Sequence, residues 1–116
     1  MLGIFRRWSV PTITIDEFAE LHRQGCFVVD VRQPHEYVRG HVPGAHSFPL
    51  TELARRAAEL AGRGQVHVIC ATGHRSRVAA RLLAGRGVDA VSVHGGTGAW
   101  RHRRLPLVSG RHPGRR

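Results

Sequence analysis

The sequence predicts an α/β domain built on a mainly parallel sheet, and three observations carry that expectation. Residues 26–31 and 66–69 are short continuous apolar runs rich in β-branched side chains, the pattern of strands buried on both faces of a parallel sheet. Stretches of helical periodicity alternate with them, as crossover connections require. A chain of 116 residues with 41% hydrophobic side chains has room for one core and not two. In such sheets ligands bind outside the carboxyl ends of the strands, and Asp30 and Cys70 both fall there.

Residues 1–10 are expected to be an N-terminal extension ahead of a domain at 11–108. The opening MLGIFRRWSVP begins apolar, but Arg6 and Arg7 interrupt it and no apolar h-region follows, so it is not a secretory signal. That reading places the chain in the cytoplasm, with both cysteines reduced. Residues 12–15 alternate polar and apolar like a short edge strand. Thr14 and Glu17 form a capping box, and Phe18, Leu21 and His22 continue one helical face until Gln24 and Gly25 stop it. After the strand at 26–31, residues 33–50 carry Pro34, Gly40, Pro43, Gly44 and Pro49, which leaves space for a short helix, a turn and a short strand around Ser47. Residues 51–61 form a helix with Leu53, Ala57 and Leu60 on one face, ended by Gly62 and Gly64. The second buried strand, 66–69, runs directly into Cys70. Residues 76–83 place Val78, Ala79, Leu82 and Leu83 at helical spacing and stop at Gly85 and Gly87. A strand at 90–93 and a glycine-rich turn lead to Trp100, an aromatic anchor for the last helix. Beyond Val108 few apolar residues remain, so 109–116 is expected to be a basic, flexible tail.

Charge is the unusual feature of the composition. Eighteen basic residues, all arginine, stand against eight acids for a formal net charge of +10; lysine and asparagine are absent. Such a surplus raises nucleic acid or an anionic membrane as partner, whereas missing lysine and asparagine point to a GC-rich coding sequence. The distribution decides between them: residues 8–100 hold ten arginines and all eight acids, so the surplus belongs to the ends and no nucleic-acid or membrane face is expected on the domain. The nine histidines show no H-x3-H or H-x2-H spacing, which argues against a metal site, and GGTGAW lacks the lysine of a phosphate loop, so no cofactor is expected.

Cys70 is the chemical centre of the sequence. It stands where a strand stops and a helix is about to begin, separated by Ala71, Thr72, Gly73, His74 and Arg75. Gly73 can adopt positive φ and turn successive N–H groups toward one point, an anion-binding nest. Those donors, the positive end of the helix and Arg75 all favour thiolate over thiol. Cys26, entering a strand, reads as a small buried residue. On two parallel strands it would lie roughly 13 Å from Cys70 at about 3.3 Å per residue, too far for a disulfide.

Four strings and one single residue, in register, carry a resemblance to a known family. They are DVR at 30–32 with Glu36, GHVPGA at 40–45, CATGHRS at 70–76 and GGTGAW at 95–100, and together they resemble the rhodanese (thiosulfate sulfurtransferase) family over about residues 11–107. The resemblance implies a five-stranded parallel sheet flanked by helices, with Cys70 carrying persulfide sulfur in a loop of Ala71, Thr72, Gly73, His74, Arg75 and Ser76. It implies a small anionic sulfur donor such as thiosulfate, and a thiol, cyanide or protein thiol as acceptor. Asp30, Arg32 and Glu36 then serve as a scaffold of ion pairs, His41 fixes a turn, and Arg75 is the candidate for the donor's sulfonate. Relatives that handle phosphate or arsenate use a Cys-x5-Arg loop, whereas Cys70 to Arg75 is Cys-x4-Arg, the tighter loop suited to sulfur. The alternative within the resemblance is a sulfur-carrier or protein-binding module with little turnover of its own.

Overall fold

A computed structural model describes residues 9–116, so most of the expected N-terminal extension lies outside the described residues. Five strands, β1 (Thr12–Ile13), β2 (Phe27–Asp30), β3 (His46–Ser47), β4 (Val66–Ile69) and β5 (Ala90–Val93), form one sheet in the order β1-β5-β4-β2-β3. Every pairing is parallel, with Phe27 opposite Val66 and Asp30 opposite Ile69 at the centre. The helices are α1 (Ile15–Arg23), α2 (Pro34–Arg39), α3 (Leu50–Arg56), α4 (His74–Gly85) and α5 (Gly96–His102).

Alternation along the strands divides the core. Val29, Val31, Val66, Val68 and Cys70 face a layer containing Leu53, Leu60, Ala79 and Leu83 from α3, α4 and the turn between α3 and β4. Val28, Ile69 and Val93 face the other layer, where Phe18 of α1 meets Trp100 of α5 edge-on at 5.6 Å. Each fully buried side chain of this kind contributes roughly 1.5–3 kcal/mol. α1 starts where the capping box requires: Thr14 Oγ1 accepts from Glu17 N at 3.1 Å and Glu17 Oε1 accepts from Thr14 N at 3.0 Å. Among the described residues no helix is long and apolar enough to cross a membrane.

Three expectations are corrected. The helix at 51–61 is two pieces, α3 and a 3-10 turn at Ala57–Leu60; the tighter turn keeps Leu60 beneath the sheet before Gly62 reverses the chain at φ 75°. Val78 is not a core residue. The buried side of α4 is Ser76, Ala79, Ala80 and Leu83, the first three small enough to let the helix lie close, and Val78 stands 53% exposed. The tail at 109–116 is docked rather than frayed. Val108 pairs with His41 as an antiparallel bridge, Gly110 N donates to Val38 O at 2.8 Å, Gly44 N donates to Pro113 O at 2.8 Å, and the Arg116 guanidinium reaches the carbonyls of His22 and Cys26. Counting apolar side chains missed this because the tail is held by backbone groups of the GHVPGA turn, which need partners of their own. Removing residues 109–116 is therefore expected to lower stability by about 2 kcal/mol, since it strips Gly44 N and the ring of His41 of their partners; an unchanged urea midpoint would contradict that.

Candidate active site

The carboxyl edge of the sheet is held by a buried ion pair. Arg32 closes on the carboxylate of Asp30, Nε at 3.0 and 3.1 Å and Nη2 at 2.8 Å, and Nη2 also donates to Gly40 O at 2.8 Å. Both side chains are shut away from water, so removing either partner would leave an uncompensated buried charge, costing roughly 3–5 kcal/mol. The pair fixes the chain leaving β2 and, through Gly40, the start of the GHVPGA turn. His41 is enclosed in that turn, its ring stacked on Tyr37 at 3.7 Å and its nitrogens facing Tyr37 O at 2.8 Å and His112 O at 2.9 Å. Its partners belong to α2 and the tail, not to the cysteine loop.

At the end of β4 the chain leaves the sheet at Cys70, which is fully buried. Gly73 takes φ 108°, a left-handed conformation that bends the loop back so that its N–H donates to Cys70 Sγ at 3.1 Å. α4 therefore begins at His74, two residues earlier than the apolar periodicity indicates. From the other side the β5–α5 turn grips the loop's carbonyls: Thr97 N donates to Cys70 O at 2.8 Å and Gly98 N to Ala71 O at 3.0 Å. With the carbonyls held outward, the N–H groups converge on the sulfur. Thr72 and His74 lie at the exposed mouth, Thr72 Oγ1 3.2 Å from His74 Nδ1.

Two opposing effects set the charge of the thiol. Burial pushes the Cys70 pKa up, but the polar surroundings of the sulfur, the Ser76 hydroxyl and the backbone N–H groups of Ser76, Gly73 and Thr72, outweigh it and leave it below the ordinary 9.0. Arg75 closes both terminal nitrogens on Glu36, at 2.6 and 2.9 Å. That hydrogen bond holds the Glu36 carboxyl down at about 2, so the pair stays ionised through the neutral range. The sequence assigned Arg75 to a donor's sulfonate; in the structure its terminal nitrogens are already taken, although its charge still acts on Cys70. Cys26 and Cys70 are both free thiols, one ahead of β2 and the other beyond β4.

One residue of this site escaped the sequence reading. Ser92, buried in β5, lies with its hydroxyl 2.8 Å from Ser76 Oγ, which in turn donates to Gly73 O at 3.2 Å. Its only signal was a hydroxyl inside the apolar run AVSV. With its proton on the Gly73 carbonyl, Ser76 accepts from Ser92, so the two hydroxyls brace the cysteine loop in series. The alkylation rate of Cys70 should rise with pH to a plateau with a midpoint below 9.0. Ser76→Ala and Ser92→Ala should each move that midpoint up by several tenths of a unit, and the double variant should move it no further than Ser76→Ala alone. Additive shifts would mean that Ser92 does not act through Ser76.

What this arrangement can do follows from its parts. A shielded, hydrogen-bonded thiolate is a nucleophile toward sulfur, and the same donors can hold an anionic sulfur placed one bond further out. Comparison with known proteins bears on that chemistry. Residues 14–103 match the family described as "Rhodanese-like domain". The chain is 34% identical over 85 residues to a Bacillus subtilis (strain 168) protein named "Putative sulfur carrier protein YrkF", covering 72% of this chain and 46% of that protein, so it spans about half the length of that relative. A rhodanese-related protein from Thermoplasma volcanium superposes with a TM-score of 0.78 at 31% identity, covering 84% of this chain and 97% of the other. A thiosulfate sulfurtransferase from Pseudomonas aeruginosa superposes at 0.77 with 29% identity, over 91% of this chain but 21% of its own.

Proposed function

Because this chain belongs to the rhodanese-like domain family, within the sulfurtransferase superfamily, we propose that it moves sulfane sulfur from thiosulfate, or another persulfide donor, to a thiophilic acceptor through a Cys70 persulfide. The observation that carries the reading is the Gly73 N–H aimed at Cys70 Sγ at 3.1 Å inside a Cys-x4-Arg loop. In the first step the Cys70 thiolate attacks the outer sulfur of thiosulfate. The sulfur–sulfur bond of thiosulfate breaks, sulfite leaves with the bonding pair, and Cys70 becomes a persulfide anion. In the second step cyanide or a thiolate attacks the outer sulfur and the Cys70 thiolate is released. The charge balances in both steps, so no oxidant is needed, and the double displacement divides one transfer into two easier ones.

The chain's own residues have separate parts in this scheme. The loop of Ala71, Thr72, Gly73, His74, Arg75 and Ser76 cradles the persulfide. Asp30, Arg32, Glu36 and His41 hold the walls, and Arg75 supplies positive charge near the sulfur while tied to Glu36. The setting is the cytoplasm, which keeps Cys26 and Cys70 reduced. A second reading, a carrier that accepts persulfide only from a protein donor, is favoured by the name of the Bacillus relative.

Mass spectrometry after incubation with thiosulfate tests the proposal. The expected result is a gain of one sulfur atom on Cys70 and steady thiocyanate production when cyanide is added. Loading by a protein persulfide but not by thiosulfate would favour the carrier, and loading by neither would end the sulfur-transfer reading.

A further inference from the structure

We propose that the outward face of α4, formed by His74, Arg77, Val78 and Arg81, docks an acidic surface of the protein that exchanges sulfur with Cys70. The inference rests on the sulfur-transfer reading for what is exchanged, and on geometry and charge for where the partner sits.

The four residues follow i, i+3, i+4, i+7 spacing, which puts them on one side of the helix, and all four are exposed. The face begins at the cysteine loop itself, because His74 is the first residue of α4 and Gly73 immediately before it donates to Cys70 Sγ. From there it runs roughly 10 Å at about 1.5 Å per residue. A partner lying along it reaches the mouth of the loop.

Folding does not account for the charges. Positive side chains in the first turn of a helix oppose its dipole, and the first turn of α4 has no acidic residue. Arg75 is compensated by Glu36, but no carboxylate among the described residues pairs with Arg77 or Arg81. Six of the eight acids are closed on other arginines and Glu17 caps α1. The eighth, Asp89, lies just before β5, at the edge of the sheet opposite Cys70. A GC-rich coding sequence explains how many arginines there are, not why these two flank Val78, the most exposed large hydrophobic residue among those described. An apolar contact ringed by unmatched positive charge calls for a complementary acidic surface with an apolar centre. A face this short is far smaller than the roughly 800 Å² per partner of a stable complex, which suits brief docking for a handover. In that handover the partner's thiolate attacks the outer sulfur of the Cys70 persulfide and leaves Cys70 as thiolate; the reverse reaction loads it.

The experiment uses the full chain and synthetic peptides of equal length, each with one cysteine and rich in Glu, Gln or Lys. Fluorescence anisotropy reads binding, and transfer from persulfidated Cys70 reads exchange, with 2-mercaptoethanol as a neutral small acceptor. At low salt the Glu-rich peptide should accept sulfur about tenfold faster per unit concentration than the Gln-rich one, and R77E/R81E should erase that advantage and favour the Lys-rich peptide. V78S should cost about threefold at constant charge. R111E/R115E makes the same change in net charge elsewhere and should cost less than about twofold, and transfer to 2-mercaptoethanol should be unchanged in every variant. The proposal falls if the Glu-rich and Gln-rich peptides are equal, if R111E/R115E matches R77E/R81E, or if single-stranded DNA displaces the Glu-rich peptide more readily than unlabelled peptide does. Charge-dependent binding that follows α4 without transfer to any acceptor would sustain the docking face and overturn the sulfur chemistry instead.

Discussion

Cys70→Ser is expected to abolish both loading by thiosulfate and thiocyanate formation, a loss on the order of a thousandfold or more. The reasoning is chemical rather than structural. Serine is nearly isosteric with cysteine in this fully enclosed position, and its hydroxyl oxygen can still accept the N–H of Gly73, so the fold and its urea midpoint should change little. What disappears is the nucleophile: a hydroxyl does not ionise under conditions where the thiolate does, and oxygen bonded to sulfane sulfur is no substitute for a persulfide. Cys26→Ser supplies the control. Burial pushes the Cys26 thiol up, against the opposing influence of Arg116, and the residue lies ahead of β2, so its replacement should leave loading intact. Mass spectra of both variants after exposure to thiosulfate, together with initial rates of thiocyanate production, make the comparison. A Cys70→Ser chain that still gains sulfur would place the reactive thiol elsewhere.

Much of this site was legible in the sequence because its signals are local. The capping box of α1 lies within four residues, β2 and β4 announce themselves as apolar runs, and the cysteine loop combines a strand end, one glycine and a helix start within seven residues. The motifs in register added the number of strands, which periodicity did not supply. What stayed hidden depends on partners distant in the chain. Glu36 and Arg75 were each singled out, but they are 39 residues apart, and only the fold shows that they close on each other. Ser92 meets Ser76 across 16 residues, and a lone serine in an apolar strand gives no indication of which hydroxyl it will find. The docked tail was missed for a different reason. Each of its bonds has a backbone group on at least one side, and composition records side chains alone. Val78 was misplaced because helical spacing shows that a face exists, whereas packing distance chose the face of Ala79 and Ala80.

Gly96→Ala is expected to be the most damaging single-atom addition near the site, destabilising the chain by about 2–4 kcal/mol and raising the midpoint of Cys70 alkylation. Gly96 has φ 57°, and a Cβ there would stand 2.2 Å from Cys70 O and 2.8 Å from both the carbonyl carbon and oxygen of Ala71. All three neighbours are backbone atoms, so no side chain can swing aside. Relief requires either α5 to retreat or the loop carbonyls to turn. Each movement strains the bonds from Thr97 N to Cys70 O and from Gly98 N to Ala71 O that keep the carbonyls outward and the N–H groups inward. Sulfur transfer should therefore fall further than the loss of folded protein explains, because the donors around Cys70 lose their aim before the domain unfolds. Gly85→Ala gives the opposite outcome: Gly85 ends α4, nothing lies within 4 Å of its Cβ position, and the substitution should stabilise by several tenths of a kcal/mol by restricting the unfolded chain. Urea denaturation and the pH dependence of alkylation separate the two. A Gly96→Ala chain within about 1 kcal/mol of the parent and with an unshifted midpoint would show that the loop does not depend on the β5–α5 turn for its shape.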